Sequence, residues 1–94
     1  MEKKPIRPEA KAIQERFFNA LDVIIEQRKV TGLKPFCIEY NLNQPKYSRL
    51  RSQTRDPKRT TTYTLIDIHV LYYLVRDFKV SADWLLTGRG TMFK

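Results

Sequence analysis

Apolar residues recur at intervals of three and four in the first third of this chain, from residue 9 to residue 28. The recurring residues are Ile13, Phe17, Ala20, Leu21 and Ile24. Because a helix turns once every 3.6 residues, this spacing predicts an amphipathic helix with one buried face. Pro8 suits its first turn, where the missing N–H needs no partner. Strands are not expected, and only the β-branched run at residues 60–62 leaves room for one.

Two short helices joined by a turn are predicted next. Residues 30–32 break the first helix, and a second helix is expected over residues 35–40. Asn41 tolerates the left-handed conformation in which many helices end. Asn43 can then cap a third helix from residue 44 to about residue 51, with a proline in its first turn.

A fourth helix is predicted after a polar, basic loop at residues 52–62. Thr64, followed three residues later by Asp67, resembles a capping box and places the helix at about residues 65–79. Its buried stripe is expected to consist of Ile68, Leu71, Leu74, Val75 and Phe78. Three residues lie off that stripe, and either a dimer surface or packing against the N-terminal arm would cover them: Val70, Tyr72 and Tyr73.

A short fifth helix through residue 86 is predicted by its two ends. Ser81 can cap its first turn, and Gly88 can end it in a left-handed conformation. We expect Trp84 and Leu85 to be buried there as core anchors.

Composition and charge narrow the class of protein. The chain has 94 residues and a net charge of +8, a surplus that favours polyanionic partners. Cys37 is the only cysteine, which excludes an internal disulfide and a cysteine-based metal site and fits a reducing, cytosolic compartment. No targeting or membrane segment is visible. We expect a flexible basic arm at residues 1–8 and one domain at residues 9–94.

Residues 34–52, KPFCIEYNLNQPKYSRLRS, have the pattern of a helix-turn-helix. Cys37 is the small residue that lets the two helices cross closely, and Leu42 is the apolar residue after the turn. Tyr47 and Leu50, three apart, give the second helix an inward apolar side. The residues on its opposite side then face outward: Pro45, Ser48, Arg49 and Ser52.

Outward-facing polar side chains on such a helix can read base edges, because Arg pairs with guanine and Gln with adenine through two hydrogen bonds each. We assign base reading to Gln44, Lys46, Ser48 and Arg49, and to Pro45, which can offer only an apolar contact such as one with a thymine methyl group. Residues 34–60 hold seven basic and two acidic residues, so they carry +5 of the net charge of +8. We assign contacts with DNA phosphates to Lys34, Arg51, Arg55, Lys58 and Arg59.

This pattern resembles the DNA-binding domain of the lambda-repressor-like family of phage and bacterial regulators. The ending VSADWLLTGRGTMF, at residues 80–93, is similar to the last helix of many such domains, which carries Trp-Leu-Leu and stops at Gly. The resemblance covers residues 12–93. It implies a compact five-helix bundle in which helices 2 and 3 read DNA. Carried over by position, it places base reading on Gln44, Pro45 and Arg49. The chain departs from the family in having Asn41 where Gly is common.

The expected function is sequence-specific regulation of transcription on double-stranded DNA, with repression as the family's common mode. A homodimer on a palindromic site is expected, because one such domain reads few base pairs. Its contact surface is expected on helices 4 and 5 or the C-terminal tail, with the apolar residues Tyr72, Tyr73, Met92 and Phe93. No enzyme activity, cofactor, metal, small-molecule ligand or membrane is expected, and the location is cytoplasmic, on bacterial or phage DNA. The main alternative is a protein-interaction module, antitoxin-like or an adaptor, and the second is an RNA-binding domain.

Four other residues with reactive or ionisable side chains are expected to have structural or surface roles and no catalytic or metal-binding role. Cys37 is expected to pack in the core, and His69 to lie on a helix surface without a metal. Asp22 and Glu26 lie four residues apart on the first helix, and both are expected to be solvated.

Overall fold

Helix α1 is the longest of five helices in the computed structural model, which describes residues 7–55 and 65–94. The helices are α1 (Pro8–Glu26), α2 (Leu33–Glu39), α3 (Gln44–Arg55), α4 (His69–Phe78) and α5 (Ala82–Thr87). No strand occurs in the described residues, where Val80 and Phe93 form only an isolated bridge. The prediction of an all-α fold is therefore confirmed.

The core is built on the apolar face of α1. Phe17, Ala20, Leu21 and Ile24 are fully buried there, as their spacing predicts. Phe17 contacts the rings of Phe18, Phe36 and Tyr47, so its position brings α1, α2 and α3 together. Large, fully buried aromatic side chains of this kind supply much of the stability of a small domain.

The turn between α2 and α3 has the predicted chemistry. Asn41 adopts a left-handed conformation with φ 54°, and its neighbour Leu42 donates its backbone N–H to the Cys37 carbonyl at 2.8 Å. The Oδ1 of Asn43 accepts the backbone N–H of Lys46 at 3.1 Å, which caps α3. Cys37 is buried, and this burial raises the pKa of its thiol. These features fix a tight crossing of two short helices.

Helix α3 is longer than the sequence pattern predicts. Residues 52–55 continue the helix to Arg55 and are not part of a loop. Thr54 donates its side-chain hydroxyl to the Leu50 carbonyl at 2.9 Å and so stays within the helical pattern. The rest of the expected loop lies outside the described residues, as do the β-branched run at residues 60–62, the possible cap Thr64 and most of the expected N-terminal arm.

Helix α4 begins four residues later than predicted, and four residues of its predicted stripe are buried or pack on the core: Leu71, Leu74, Val75 and Phe78. The predicted core residue Ile68 is 84% exposed, whereas Val70, predicted to lie off the stripe, is fully buried with Leu74. Both assignments were wrong because the segment before α4 is held by long-range bonds. The buried Gln14 of α1 accepts the backbone N–H of Ile66 at 2.8 Å.

Helix α5 matches its predicted ends. Ser81 accepts the Trp84 N–H, and Gly88 follows the helix with φ 79°. Leu85 is buried as expected, but Trp84 is only partly buried against the core. Arg16 of α1 donates to the carbonyls of Leu85 and Leu86, at 2.9 and 3.0 Å, and so satisfies the C-terminal end of the helix.

The C-terminal tail returns to the core. Met92 and Phe93 are partly buried against it, and the Ser81 N–H donates to the Met92 carbonyl at 2.8 Å. Within residues 7–55 and 65–94, no helix is both long enough and apolar enough to cross a bilayer.

Candidate nucleic-acid interface

Two buried residues set the orientation of α3. Tyr47 and Leu50 are fully buried, which confirms the prediction that they face the core. Because successive helical residues turn by about 100°, the opposite side of the helix faces solvent. The residues on that side are all exposed: Pro45, Ser48, Arg49 and Ser52. We call this row the exposed face of α3.

Arg49 lies in the middle of the exposed face. Among the described residues it makes no ion pair or hydrogen bond. Lys34, at the start of α2, is also exposed. Gln44, an assigned base-reading residue at the start of α3, is half-buried. Lys58 and Arg59, two of the assigned phosphate contacts, lie outside the described residues.

Asp67 binds one flank of α3. The Tyr47 hydroxyl donates to Asp67 Oδ2 at 2.6 Å and accepts the backbone N–H of Asp67 at 3.0 Å. Lys46 Nζ lies 3.3 Å from Asp67 Oδ1. This cluster, formed by Lys46, Tyr47 and Asp67, joins the segment before α4 to the helix. Asp67 therefore bonds to α3, and it precedes the start of α4 at His69, so it is not the third residue of that helix as the predicted capping box requires.

The Asp67 cluster shifts the pKa of two of its members. The hydrogen bond from the Tyr47 hydroxyl, with help from Lys46, holds the pKa of Asp67 below its usual range, against an opposing effect of burial. Burial, together with the Asp67 carboxylate, raises the pKa of Tyr47. The cluster thus favours an ionised Asp67 and a neutral Tyr47.

Asp22 of α1 binds the other flank of α3. Arg51 Nη2 donates to Asp22 Oδ1 at 2.6 Å, and Arg55 Nη2 donates to Asp22 Oδ2 at 3.0 Å. The expectation that Asp22 is a solvated surface residue was wrong, because its carboxylate pairs with two arginines and its side chain is 33% exposed. Glu26, its neighbour one turn on, is exposed as expected.

A separate polar and aromatic cluster lies between α2 and α4. Tyr40 stacks on Tyr73 with ring centroids 4.4 Å apart and donates its hydroxyl to Asp77 Oδ2 at 2.7 Å. Arg76 pairs with Asp77 at 2.6 Å, and these bonds lower the pKa of Asp77 to about 2. His69 is exposed as predicted, with its ring against Tyr73. The Tyr40–Asp77 bond joins α2 to α4.

The described part of the chain offers an exposed helical face with Arg49 at its middle. Residues 7–55 and 65–94 contain no group of three or more His, Cys, Asp or Glu side chains arranged to hold a metal ion. Comparison of the chain with protein-family models, with curated proteins and with solved structures finds no significant match to any of them.

Sequence reasoning missed the three polar residues that hold the surroundings of α3: Gln14, Asp22 and Asp67. Gln14 and Asp22 both lie on α1, and their partners are 52 and 29 residues away in the chain. One signal was present for Gln14, which lies directly beside Ile13 near the apolar stripe of α1. Nothing in the sequence indicates which arginines Asp22 binds.

Proposed function

We propose that this protein is a sequence-specific DNA-binding regulator of transcription, with a helix-turn-helix of the lambda-repressor-like type formed by α2 and α3. The observation that carries the proposal is the exposed face of α3. A short helix firmly anchored by two buried side chains presents Arg49 and three neighbours to solvent. A helix of this diameter fits the major groove of B-DNA.

The tight turn between α2 and α3 supports this function. The small buried Cys37 and the left-handed Asn41 let the two helices cross closely, as a helix-turn-helix requires. In such a unit the second helix enters the major groove and the first crosses the phosphate backbone. Lys34, exposed at the start of α2, then lies on the side of the phosphates.

Arg49 is the proposed principal base-reading residue. Its side chain is long enough to reach guanine O6 and N7, and its planar guanidinium can donate to both. The other cations that the sequence assigns to α3 already have carboxylate partners. Lys46 pairs with Asp67, and Arg51 and Arg55 pair with Asp22. Arg49 is therefore the α3 cation whose described surroundings leave it most available to a base.

A homodimer on a palindromic site remains part of the proposal, because one reading helix covers few base pairs. The surface we propose is smaller than the sequence indicates. Val70 is buried, and Met92 and Phe93 pack on the core. Tyr72 of α4 and Leu86 of α5, which are 58% and 50% exposed, remain as the apolar residues for such a contact.

Selection of bound sequences from a random duplex pool, followed by titration of Arg49→Ala, tests the function. We expect Arg49→Ala to cost about 1–3 kcal/mol of binding on the preferred site and much less on random duplex. Arg49→Lys should restore charge but not full selectivity, because an ammonium lacks the planar fork. The matched control is Arg89→Ala, which removes an exposed arginine outside α3.

Two outcomes would change the assignment. Equal weakening on preferred and random duplexes would make Arg49 a phosphate contact and move base reading to Gln44 or Ser48. Failure to bind any duplex, at low as well as high salt, would contradict the proposed function. The exposed Ile38 and Ile68, at 70% and 84%, would then favour a protein-interaction module.

A further inference from the structure

Arg51 and Arg55 occupy the rim of the exposed face of α3. They lie four residues apart on one flank of the helix. By helical rotation, Arg55 lies only about 20° around the axis from Ser48 of the exposed face. Arginines at this position are suited to reach the phosphates that border a groove. In this structure, however, both donate to the same carboxylate, Asp22.

Asp22 and a DNA phosphate offer these arginines the same chemistry. Each is an anion whose oxygens accept charge-assisted hydrogen bonds from a guanidinium. The Arg55 side chain is 58% exposed, so a phosphate can approach it without unfolding α3. Arg51 is more enclosed, at 23%, and its buried Nε has no hydrogen-bond partner among the described residues. Arg55 is therefore the more accessible of the two arginines to a phosphate.

We infer that Asp22 competes with DNA phosphates for Arg51 and Arg55 and so lowers the affinity for every duplex without altering base preference. When a phosphate replaces Asp22, the carboxylate loses its counter-charge and stays near a second anion. That exchange releases less net counterion than a phosphate contact made by an unpaired arginine. Asp22 thus acts on DNA binding only through Arg51 and Arg55. This inference rests on the proposed function.

A purely structural role for Asp22 makes a different prediction. If the carboxylate only fastened α1 to α3, its removal would lower the melting temperature and leave affinity unchanged or reduced. Competition instead predicts that removal raises affinity. Duplex binding and thermal unfolding must therefore be measured on the same variants.

The test is titration of a mixed-sequence fluorescent duplex with the full-length Asp22→Asn variant over a series of salt concentrations. Its matched control is Glu26→Gln, which removes one negative charge from an exposed position on the same helix. We expect Asp22→Asn to bind about two- to fivefold more tightly than Glu26→Gln at low salt. Its salt dependence should be steeper by about one unit for each phosphate contact released from competition.

Repeating the comparison in a protein that lacks both arginines tests whether the gain in affinity depends on them. In a protein that carries both Arg51→Gln and Arg55→Gln, Asp22→Asn should give no gain over Glu26→Gln. If Asp22→Asn does not fold, Asp22→Ala replaces it, because alanine is the strongest helix former.

The outcomes separate the two proposals. A wild-type protein that binds no duplex overturns the proposed function and this inference with it. Wild-type binding, with Asp22→Asn no tighter than Glu26→Gln, overturns the inference alone. So does a gain that persists after both arginines are replaced.

Discussion

The two flanks of α3 are each held by one carboxylate, but the two carboxylates bond to different kinds of group. Asp67 accepts a hydrogen bond from the hydroxyl of Tyr47, a fully buried residue, and its own backbone N–H donates back to that hydroxyl. Asp22 bonds to two charged guanidinium groups at the edge of solvent. One flank is joined through the hydroxyl of a core residue, with the Lys46 ammonium 3.3 Å from the same carboxylate, and the other through two arginines.

This difference predicts that the two carboxylates affect different properties: Asp67 the stability of the fold, and Asp22 the binding of anions by α3. A buried hydroxyl has no alternative partner in the core, so losing its acceptor costs stability. A surface guanidinium that loses its carboxylate is solvated again or binds another anion, so little stability is lost. The Asp67 flank therefore fixes where α3 lies, whereas the Asp22 flank adjusts what its arginines bind.

The largest expected effect compares alanine at the two carboxylates. We expect Asp67→Ala to lower the free energy of unfolding by about 1–2 kcal/mol, because the Tyr47 hydroxyl loses its acceptor. For a domain of this size that is a fall of roughly 4–15 °C in melting temperature. Asp22→Ala should be within about 0.5 kcal/mol of wild type, because the lost ion pairs are offset by the better helix propensity of alanine. Chemical denaturation of both variants measures the difference. Equal losses would remove the distinction between the flanks.

Local rules of sequence predict the framework of this fold well. The apolar spacing of α1, the left-handed Asn41, the Asn43 cap and the Ser81 and Gly88 ends of α5 all depend on residues within a few positions of each other. The inward positions of Tyr47 and Leu50 follow from the same periodicity. The exposure of Arg49 then follows from helical geometry alone.

The polar partners of α3 could not be predicted in this way, because they come from distant parts of the chain. Gln14 and Tyr47 bind the segment at residues 66–67, which keeps it out of α4 and delays that helix to His69. Ile68 therefore precedes the helix and is exposed, whereas Val70, in the first turn, is buried. A local capping pattern carries no information about such competing bonds.

An effect of intermediate size is expected on the free energy of unfolding at acid pH. The pKa of Asp67 is lowered by folding, so its contribution to stability is complete above its unfolded pKa of about 4. That contribution is lost as the pH falls through the lower folded pKa. The stability of wild type should therefore exceed that of Asp67→Asn by an amount that shrinks below about pH 4.

Urea unfolding of the two proteins at a series of pH values measures this. Asp77, whose pKa folding lowers to about 2, adds an acid dependence that both proteins share and that cancels in the difference. A difference that stays constant down to about pH 2 would show that the Asp67 charge does not contribute.

The smallest expected effect lies within the Asp22 flank and is measured by double-mutant cycles. The bond between Asp22 and Arg51 is shorter than that between Asp22 and Arg55, and the Arg51 side chain is 23% exposed against 58% for Arg55. We expect a coupling free energy near the upper end of about 0.2–1 kcal/mol for Asp22 with Arg51, and near the lower end with Arg55.

Added salt should reduce the Arg55 coupling first, because screening acts most strongly on exposed charges. Asparagine preserves the size of Asp22, and glutamine gives each arginine position a shorter, neutral polar side chain. Comparing the couplings at low and high salt therefore isolates the contribution of charge. If the two couplings are equal and decline together with salt, both arginines are equally open to solvent ions, and Asp22 competes for them as a single site.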